Sequence, residues 1–328
     1  AKERAMYYEP YEKKRGRKRR RRRGGCLGRL IGLLLKLLAL ALAVCAGLYF
    51  LPTSLMMVEK SEGLSPTDGL PGSPYNLLVL GVDTLSEGAQ RSDTMMIASV
   101  SGGGVKLTSL QRDLMVSIPG HGQAKLNAAF AYGGPELTLR VVNETFGMNL
   151  VRYVVVDFTA LVKMVDALGG VEVDVTEAER EQINKNVRYS GRVFAPLGYT
   201  YEELTVCGEN THLSGLQALG YARIRKIDSD FVRTSRQRTV ISAMLDALKA
   251  APWRLVSFAR AALQGIDTNL SAVELVSLGE KAIVGGVDGA LRLPVDGSFT
   301  DDGSRLTMTD AQRNIDALYE FLYGDTEK

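Results

Sequence analysis

The sequence predicts an α/β domain in which helices cover both faces of a mixed β-sheet, preceded by one transmembrane helix. Residues 75–328 contain short apolar runs that alternate with longer helical patterns. Interspersed strands and helices of this kind are typical of α/β sandwiches. Residues 30–51 form an almost unbroken apolar stretch directly after a basic tail, which is typical of a membrane anchor.

Charge is divided unevenly along the chain. Residues 1–29 carry 13 Lys and Arg against three Glu, a net charge of +10, whereas the residues after Lys36 carry 26 against 34, a net charge of −8. The 22 residues of the span suit a bilayer core of ~30 Å. Because positive flanks stay inside, the tail is predicted to be cytoplasmic and the domain extracellular, in a single-pass protein of the cell membrane.

The basic tail has two other interpretations. A basic run can bind nucleic acid, but the adjacent span explains it more simply, and we expect no nucleic-acid partner. A cleaved signal peptide is the other, but the apolar stretch is too long for one. Residues 52–74 are rich in Ser, Gly, Thr and Pro and are predicted to be an extracellular linker.

The domain, residues 75–328, is predicted element by element from its periodicity and its Gly and Pro residues. The predicted strands are 75–81, 94–100, 104–110, 114–118, 152–157, 171–175 and 291–295. The predicted helices are 125–132, 135–146, 158–168, 213–222, 232–250, 253–264, 271–284 and 309–323.

Particular residues set several of these boundaries. Gly133 and Gly134 should stop one helix, and Pro135 occupies the favoured first turn of the next. Thr309 is predicted to cap the closing helix. Residues 176–209 are polar, and we expect an irregular surface excursion there.

Polar residues flank three successive predicted strands near the start of the domain. Asp83 follows the first strand, Arg91 and Asp93 precede the second, and Arg112 follows the third. Charges beside core strands usually lie at a sheet edge, where ligands bind. The two carboxylates could hold a hard cation and the two arginines a phosphate, although an Arg near an Asp is most often an ordinary ion pair.

A second polar set lies between Arg223 and Arg238, where five Arg and one Lys occur in sixteen residues. Arg223 and Arg225 point to the same side if the segment is extended. Arg233, Arg236 and Gln237 share one face of the helix that follows. Arg223, Arg225 and Arg233 are predicted to form an anion site, while a solvated basic face is sufficient to explain Arg238.

Together the two sets suggest a site for pyrophosphate and a divalent cation, with phosphoryl transfer as its chemistry. Outside the cell, a lipid-linked phosphate or pyrophosphate is the expected substrate. The alternative for Arg223 and Arg225 is local pairing with Asp228 and Asp230. Cys207 is the only cysteine after the predicted span, so the domain should have no internal disulfide or cysteine-based metal site.

The sequence resembles the LytR-CpsA-Psr family in an ordered set of short motifs over roughly residues 75–250. The matching pieces are NLLVLGVD (76–83), RSDTM (91–95), RD (112–113), KLNAA with YGG (125–134), VDALGGV (165–171), LSGLQAL (213–219), RxR (223–225) and RQ (236–237).

The resemblance implies an extracellular phosphotransferase of a Gram-positive-type bacterium. Its donor would be an undecaprenyl-pyrophosphate-linked anionic glycopolymer, such as wall teichoic acid or capsular polysaccharide. Its acceptor would be the C6 hydroxyl of N-acetylmuramic acid in peptidoglycan, and its lipid tail would lie in an apolar tunnel between sheet and helices.

By motif position the resemblance also implies residue roles. Asp83 and Asp93 would coordinate Mg²⁺ or Mn²⁺, and Asp93 would assist deprotonation of the acceptor. The residues implied to hold the pyrophosphate are Arg91, Arg112, Arg223, Arg225, Arg233 and Gln237. Asp93, Arg112 and Arg225 are the residues predicted to be catalytic.

The sequence departs from the family pattern twice. Thr84-Leu85-Ser86 follows Asp83 where many members carry an Arg, and Gln111 precedes the Arg-Asp pair where many carry Pro. Two other functions remain open at this stage. One is a non-catalytic regulator of the envelope or septum, and the other is a polyprenyl-pyrophosphate hydrolase that uses water as acceptor.

Overall fold

The structure, a computed structural model, describes residues 63–83 and 91–324. The predicted tail (1–29), the predicted span (30–51) and residues 52–62 of the predicted linker lie outside the described residues, as does the loop 84–90. Within the described ranges, no helix is long and apolar enough to cross a bilayer. The membrane anchor and the topology therefore stay predictions.

The strands of the described chain form a central mixed sheet and three small two-stranded sheets. Their bounds are β1 (Tyr75–Val82), β2 (Ser92–Ser101), β3 (Gly104–Leu110), β4 (Met115–Ile118), β5 (Gly122–Lys125), β6 (Tyr153–Asp157), β7 (Val171–Val175), β8 (Gly208–Leu213), β9 (Ile266–Thr268), β10 (Val287–Leu293), β11 (Phe299–Asp301) and β12 (Leu306–Met308).

The central sheet has the strand order β10-β3-β2-β1-β6-β9. The neighbours β1, β2 and β3 are antiparallel, whereas β6 is parallel to β1 and β10 is parallel to β3. The sheet is therefore mixed, which confirms the predicted fold class for the domain.

Helices pack on both faces of this sheet. Their bounds are α1 (Ala128–Phe146), α2 (Phe158–Ala167), α3 (Glu177–Phe194), α4 (Gly215–Ala222), α5 (Asp230–Ala250), α6 (Leu255–Leu263), α7 (Ala272–Gly285) and α8 (Ala311–Tyr323). A short 3₁₀ turn, Pro252–Arg254, precedes α6.

Alternating residues of β1 pack into two separate cores, as the period of two in a strand requires. Leu78 and Leu80 face a core that includes Leu139 of α1 and Leu318 of α8. Leu77 faces the opposite core, where Leu278 of α7 packs. A third core is formed by residues of the helices α2 through α6 around the β7–β8 pair.

Most of residues 176–209 are helical, so the prediction of an irregular segment was wrong there, and after the cap residue Thr176 only 198–207 carry no helix or strand. The segment includes α3, whose N-terminus has a capping box formed by Thr176 and Glu179. Ile183, Val187 and Phe194 are buried along one side of this helix. Its polar residues lowered the average hydropathy and concealed this apolar stripe, which was readable at helical spacing.

Two other boundaries also differ from the predictions. Lys125 ends β5, and α1 begins only at Ala128. Asp310, not Thr309, caps α8, since its side chain accepts a hydrogen bond from the amide of Arg313. The predicted break is present inside α1: Gly133 and Gly134 have non-helical backbone angles, and Gly134 has φ of 65°, a value that favours glycine.

Candidate functional site

The polar residues predicted at strand ends come together at one edge of the central sheet. Strand pairing places Val82, near the end of β1, beside Ser92 at the start of β2 and beside Asp157 at the end of β6. Since β3 runs antiparallel to β2, Arg112 beyond the end of β3 lies at this edge too. We call it the site edge.

A β-bulge presents Asp93 at the site edge. Gly81 pairs with Thr94, but Val82 pairs with Ser92, so Asp93 is the extra residue. Bulges of this kind redirect a side chain and are common beside active sites. The close approach of Thr94 explains the glycine opposite, because a Cβ on Gly81 would lie 2.8 Å from the Thr94 Cβ.

Asp93 accepts hydrogen bonds from three arginines on three different segments. Arg112 Nη1 donates to Oδ1 at 2.6 Å and Arg225 Nη2 to Oδ2 at 3.1 Å. Arg233 Nη2 donates to the main-chain oxygen of Asp93 at 3.1 Å. These four residues are the Asp93 cluster, and the structure brings together the three residues predicted to be catalytic.

The main chain around Arg112 is fixed by its neighbours on both sides. The Gln111 amide donates to Leu293 O at 3.0 Å, and the Asn127 amide donates to Arg112 O at 3.1 Å. The Asn127 contact exists because β5 pairs with β4 and returns the chain to this point. Arg112 is thus held on a rigid frame, which a precise phosphate contact requires.

Charge shifts the pKa values within the Asp93 cluster. Burial raises the pKa of Asp93, but the charges and hydrogen bonds of Arg112, with the charges of Arg225 and Arg233, outweigh it and hold the pKa below its ordinary value. Burial, with repulsion from Arg112 and Arg225, lowers the pKa of Arg233 to about 10 despite its carboxylate partners. Arg233 remains a cation at neutral pH and lies among other cations.

Asp230 belongs to the same site, whereas the sequence predicted it as a helix cap or as a local partner of Arg223 and Arg225. It is the first residue of α5, after the cap position Ser229. Its Oδ2 lies 2.9 Å from Arg233 Nη2 and 3.8 Å from Arg112 Nε. The signal that could have found it was its position three residues before Arg233 on α5. Asp113 forms an outer pair with Lys125, at 2.8 Å.

Asp83 and Arg223 form a second pair at the site edge, with Arg223 Nη2 lying 3.6 Å from Asp83 Oδ2. The Arg223 guanidinium also lies over the Phe158 ring, 4.8 Å from its centroid. Asp83 and Arg223 share a small cavity with mostly apolar residues of α2 and α3, namely Phe158, Tyr189, Ser190, Val193 and Phe194.

Two predicted pyrophosphate residues remain, Arg91 and Gln237. Arg91 is exposed directly before β2. Gln237 follows Arg233 by one turn of α5, and its Oε1 atom is buried with no hydrogen-bond partner among the described residues. The Nε atom of Arg233, whose side chain is only 2% exposed, is likewise buried without a hydrogen-bond partner among the described residues. Such groups indicate capacity for a polar ligand.

Two arginines of α5 have other partners. Arg236, which the helical spacing grouped with Arg233 and Gln237, pairs instead with Glu179 of α3 and with Asp228. These three residues are the Arg236 cluster. Arg238 donates to Ser109 Oγ at 2.7 Å, so it is not only part of a solvated face. Asp228 pairs with Arg236 and Asp230 pairs with Arg233. The alternative considered for Arg223 and Arg225, local pairing with these two aspartates, is therefore not observed.

A metal at the site edge would have two carboxylates as donors, Asp83 directly after β1 and Asp93 in β2. Among the described residues, no group of three or more His, Cys, Asp and Glu could hold a metal ion. Two carboxylates with space for water and phosphate oxygens are the kind of site Mg²⁺ uses, since it keeps much of its hydration. The residues therefore fit Mg²⁺ or Mn²⁺ better than zinc.

Comparison with known proteins identifies the family. The sequence model of the LytR_cpsA_psr family matches residues 53–313. The chain belongs to this family. Regulatory protein MsrR of Staphylococcus aureus is 30% identical over 284 residues, which cover 82% of this chain and 79% of MsrR. A polyisoprenyl-teichoic acid–peptidoglycan teichoic acid transferase, TagU of Oceanobacillus iheyensis, is 35% identical over 181 residues, 52% of this chain and about half (50%) of TagU.

Solved structures of the LytR_cpsA_psr family share the fold. TagT bound to LIIa-WTA has a TM-score of 0.60 at 24% identity and covers 82% of this chain and 97% of its own. YwtF (TagT) with bound octaprenyl pyrophosphate lipid has a TM-score of 0.57 at 23% identity, with 81% and 98% covered. At this identity the likeness shows the fold alone.

Proposed function

We propose that this chain is a phosphotransferase that moves an anionic glycopolymer from a polyprenyl-pyrophosphate carrier to peptidoglycan. The polymer would be a wall teichoic acid, a capsular polysaccharide or a similar chain, and the acceptor would be the C6 hydroxyl of N-acetylmuramic acid. The names of TagU and of the lipid-bound TagT structures support this class of reaction.

The observation that carries the proposal is the convergence of three arginines on Asp93 beside the apolar-walled cavity of Asp83 and Arg223. Arginine forks match phosphate oxygens in geometry and charge. The apolar side chains next to them suit the start of a polyprenyl chain. A polar head site joined to an apolar wall fits a lipid-linked pyrophosphate.

The reaction would proceed by attack of the acceptor oxygen on the phosphorus that carries the glycan. The new P–O bond joins polymer to peptidoglycan, and the bridging P–O bond to the lipid phosphate breaks, so polyprenyl phosphate leaves with the electron pair. Asp93 would orient the acceptor hydroxyl and take part in removing its proton. Arg112, Arg225 and Arg233 would stabilise the charge that develops on the phosphate oxygens.

Asp83 and Asp93 would hold Mg²⁺ or Mn²⁺, which would neutralise the pyrophosphate charge when bound. Neutralising the two carboxylates would also weaken their hold on Arg223 and Arg225. Those guanidinium groups would then be able to turn toward phosphate oxygens.

Two alternative functions remain, a hydrolase that would use the same site and a regulator that would not need it. A hydrolase would need the same arginines with water as acceptor. A non-catalytic regulator is favoured by names alone, those of MsrR and of two solved structures called transcriptional regulators. Such a regulator would not require Asp93, Arg112, Arg225 and Arg233 to be arranged around one point. The geometry therefore supports an enzyme more strongly than a regulator.

The decisive experiment incubates the purified full chain with a polyprenyl-pyrophosphate-linked disaccharide, with and without peptidoglycan oligomers, in Mg²⁺ and in EDTA. A transferase releases polyprenyl phosphate and forms a glycan–peptidoglycan phosphodiester only when acceptor and metal are present. Release of polyprenyl phosphate without acceptor identifies a hydrolase. Inactivity under every condition supports the regulator.

We further propose that the chain is anchored with its N-terminus in the cytoplasm, as its +10 tail and apolar span suggest. Protease added to intact, wall-stripped cells should then remove the domain after about residue 52 and spare the tail. A protected domain with a digested tail would contradict this topology and would exclude an extracellular transferase.

A further inference from the structure

The outer face of α6 and of the turn before it is unusually apolar for a surface. Trp253, the only tryptophan of the chain, is 75% exposed. Val256 is 49% exposed and Leu263 is 46% exposed. Arg260 is exposed between these two residues. These positions follow helical spacing, so the four side chains form one continuous strip, which we call the α6 strip.

Positive charge accompanies the α6 strip in an otherwise acidic domain. Residues 247–266 contain Lys249, Arg254 and Arg260 and no Asp or Glu, with the nearest acids at Asp246 and Asp267. A recess beside the strip is lined by Lys163 of α2 with residues of α6 and its C-terminal end, namely Val256, Ser257, Arg260, Ala261 and Gln264. Two cations and two polar side chains therefore border the apolar surface.

The position of α6 in the fold gives the strip a direction. Arg254 donates a hydrogen bond to Leu168 O, beyond the end of α2, and Gly265 lies against Ala160 at the start of α2. Because α2 begins directly after β6 at the site edge, the Leu263 end of the strip lies toward that edge. The Trp253 end lies away from it.

The start of the described chain lies at the same end of the domain as Trp253. Asn143 Nδ2 donates to Leu64 O at 2.8 Å, and the Thr67 amide donates to Met148 O at 3.0 Å. Met148 precedes β6, whose first residue is at the sheet end opposite the site edge. The predicted anchor precedes Leu64 in the chain, so Trp253 lies at the end nearest to it.

We propose that the α6 strip docks on an anionic phospholipid surface. Tryptophan is enriched at membrane–water interfaces. A helix that places Trp, Val and Leu on one face beside Lys and Arg has the composition of an interfacial segment. Three basic side chains, Lys163, Arg254 and Arg260, complement the negative charge of such a surface.

Docking would also serve the proposed function, on which this part of the inference rests. The Leu263 end of the strip adjoins the start of α2, where Phe158 lines the cavity shared by Asp83 and Arg223. A domain lying on this strip would hold its site edge beside the lipid headgroups. A lipid-linked pyrophosphate could then enter without its polyprenyl chain leaving the bilayer completely.

Trp253 supplies its own reporter, since it is the only source of tryptophan fluorescence in the full chain. The protein would be reconstituted at one chain per nanodisc, with phosphatidylglycerol or phosphatidylcholine brominated in the acyl chain. In anionic discs we expect blue-shifted emission that bromolipid quenches and iodide does not. Without anionic lipid the ratio of docked to undocked domain should fall about 10²-fold, at roughly fivefold for each basic residue.

Variants test the strip itself. Arg260→Gln should lower the docked ratio about fivefold, and Val256→Asn about tenfold, because it removes apolar contact. Val273, which is 67% exposed on α7, is the matched control, and Val273→Asn should leave the ratio unchanged. The double variant Trp253→Phe/Val273→Trp moves the reporter to α7, where its emission should be quenched by iodide and not by bromolipid.

Emission that iodide quenches equally with and without lipid would overturn the proposal. A blue shift that depends on protein concentration and not on lipid would overturn it in favour of a second copy of the chain. Equal quenching in anionic and zwitterionic discs would overturn the electrostatic part. Because these readouts need no turnover, they can succeed or fail independently of the proposed transferase activity.

Discussion

Arg233 and Arg236 lie three residues apart on α5, and their side chains are 2% and 5% exposed, yet their charge environments are opposite. Arg233 belongs to a cluster in which three guanidinium groups contact one aspartate. Arg236 is one guanidinium held by two carboxylates, Glu179 and Asp228. The pKa of Arg233 is lowered to about 10, chiefly by burial, whereas the carboxylates and hydrogen bonds around Arg236 outweigh burial and raise its pKa.

The difference separates a binding cluster from a structural one. With its outer pair, the binding cluster contains four cations, Arg112, Lys125, Arg225 and Arg233, for three carboxylates, Asp93, Asp113 and Asp230. Partly buried cations that outnumber their carboxylate partners retain an attraction for an external anion, because their charge is not fully compensated inside the protein. A buried cation that is paired with two carboxylates has no surplus positive charge. Its role is to hold together the structural elements on which those carboxylates lie. In this chain the Arg236 cluster joins α5 to α3, while the Asp93 cluster remains available to a phosphate.

The largest expected effect is on activity and follows Asp93→Asn. This change keeps the shape of the side chain but removes the negative charge at the centre of the binding cluster. We expect transferase activity to fall on the order of 10³-fold, at the upper end for loss of one transition-state group. Turnover of the lipid-linked substrate, with thermal unfolding on the same sample, measures it.

Asp316→Asn is the matched control for Asp93→Asn, since Asp316 is an exposed acid on α8 that accepts a hydrogen bond from Gln312. It should retain normal turnover. If Asp93→Asn retained normal turnover as well, the Asp93 cluster would be an ordinary ion-pair network at a sheet edge.

The next largest effect is on stability and follows Arg236→Met. Methionine fills much of the same volume but leaves Glu179 and Asp228 largely buried without a cation. Breaking a buried pair in this way costs about 3 kcal/mol of unfolding free energy, measurable by urea denaturation. The fraction that remains folded should retain turnover, and a loss of turnover without a loss of stability would place Arg236 in the active site instead.

A smaller effect on activity is expected for Arg225→Lys, which keeps the charge but removes the planar fork. Arg225 is a partly exposed donor to Asp93 at 3.1 Å, and a bidentate contact with phosphate would be lost. Turnover should fall about 10²-fold, while the melting temperature stays close to that of the wild type, since exposed ion pairs contribute ~0–1 kcal/mol.

Arg305→Lys is the corresponding control, because Arg305 and Asp302 form an exposed pair at 3.0 Å remote in sequence from the site. This variant should change neither turnover nor melting temperature. Equal turnover in the Arg225 and Arg305 variants would mean that Arg225 is an ordinary surface ion-pair residue and does not bind the phosphate.

The sequence predicted the binding cluster better than the structural one. Asp93 and Arg112 were identified because charges beside apolar strands are conspicuous, and strand direction brings them to one edge. Arg225 was identified from the Arg-rich segment 223–238. Which arginine pairs with which carboxylate depends on tertiary packing. Arg236 satisfied the same helical spacing as Gln237, and only the position of α3 gives it Glu179 as a partner.

The prediction of the secondary structure was limited in the same way, because it succeeded for apolar runs and failed where tertiary packing decides. Strands β1 to β3 follow from continuous apolar runs and were predicted within about two residues, as the buried pattern of β1 illustrates. Helix α3 was missed because its buried residues are spaced among charged ones. It provides Glu179 to the Arg236 cluster and Tyr189 to the cavity of Asp83 and Arg223. The short strand β9 has three residues, too few for a periodic signal.

The smallest expected effect concerns pH and the carboxylate of Glu179. Burial raises its pKa, but hydrogen bonds from Thr176 and Arg236 and the Arg236 charge outweigh burial and hold the pKa below its ordinary value of 4.5. Because the folded pKa is the lower one, the ionised group stabilises the fold above about pH 4.5, and this contribution disappears as pH falls through the folded pKa. Glu179→Gln should therefore be less stable than wild type at pH 7, by less than Arg236→Met, and the two urea-unfolding curves should converge in acid. A stability difference that stays constant from pH 7 to acid would mean that Glu179 acts through packing and its capping hydrogen bonds, and that the charge balance assigned to the Arg236 cluster contributes little.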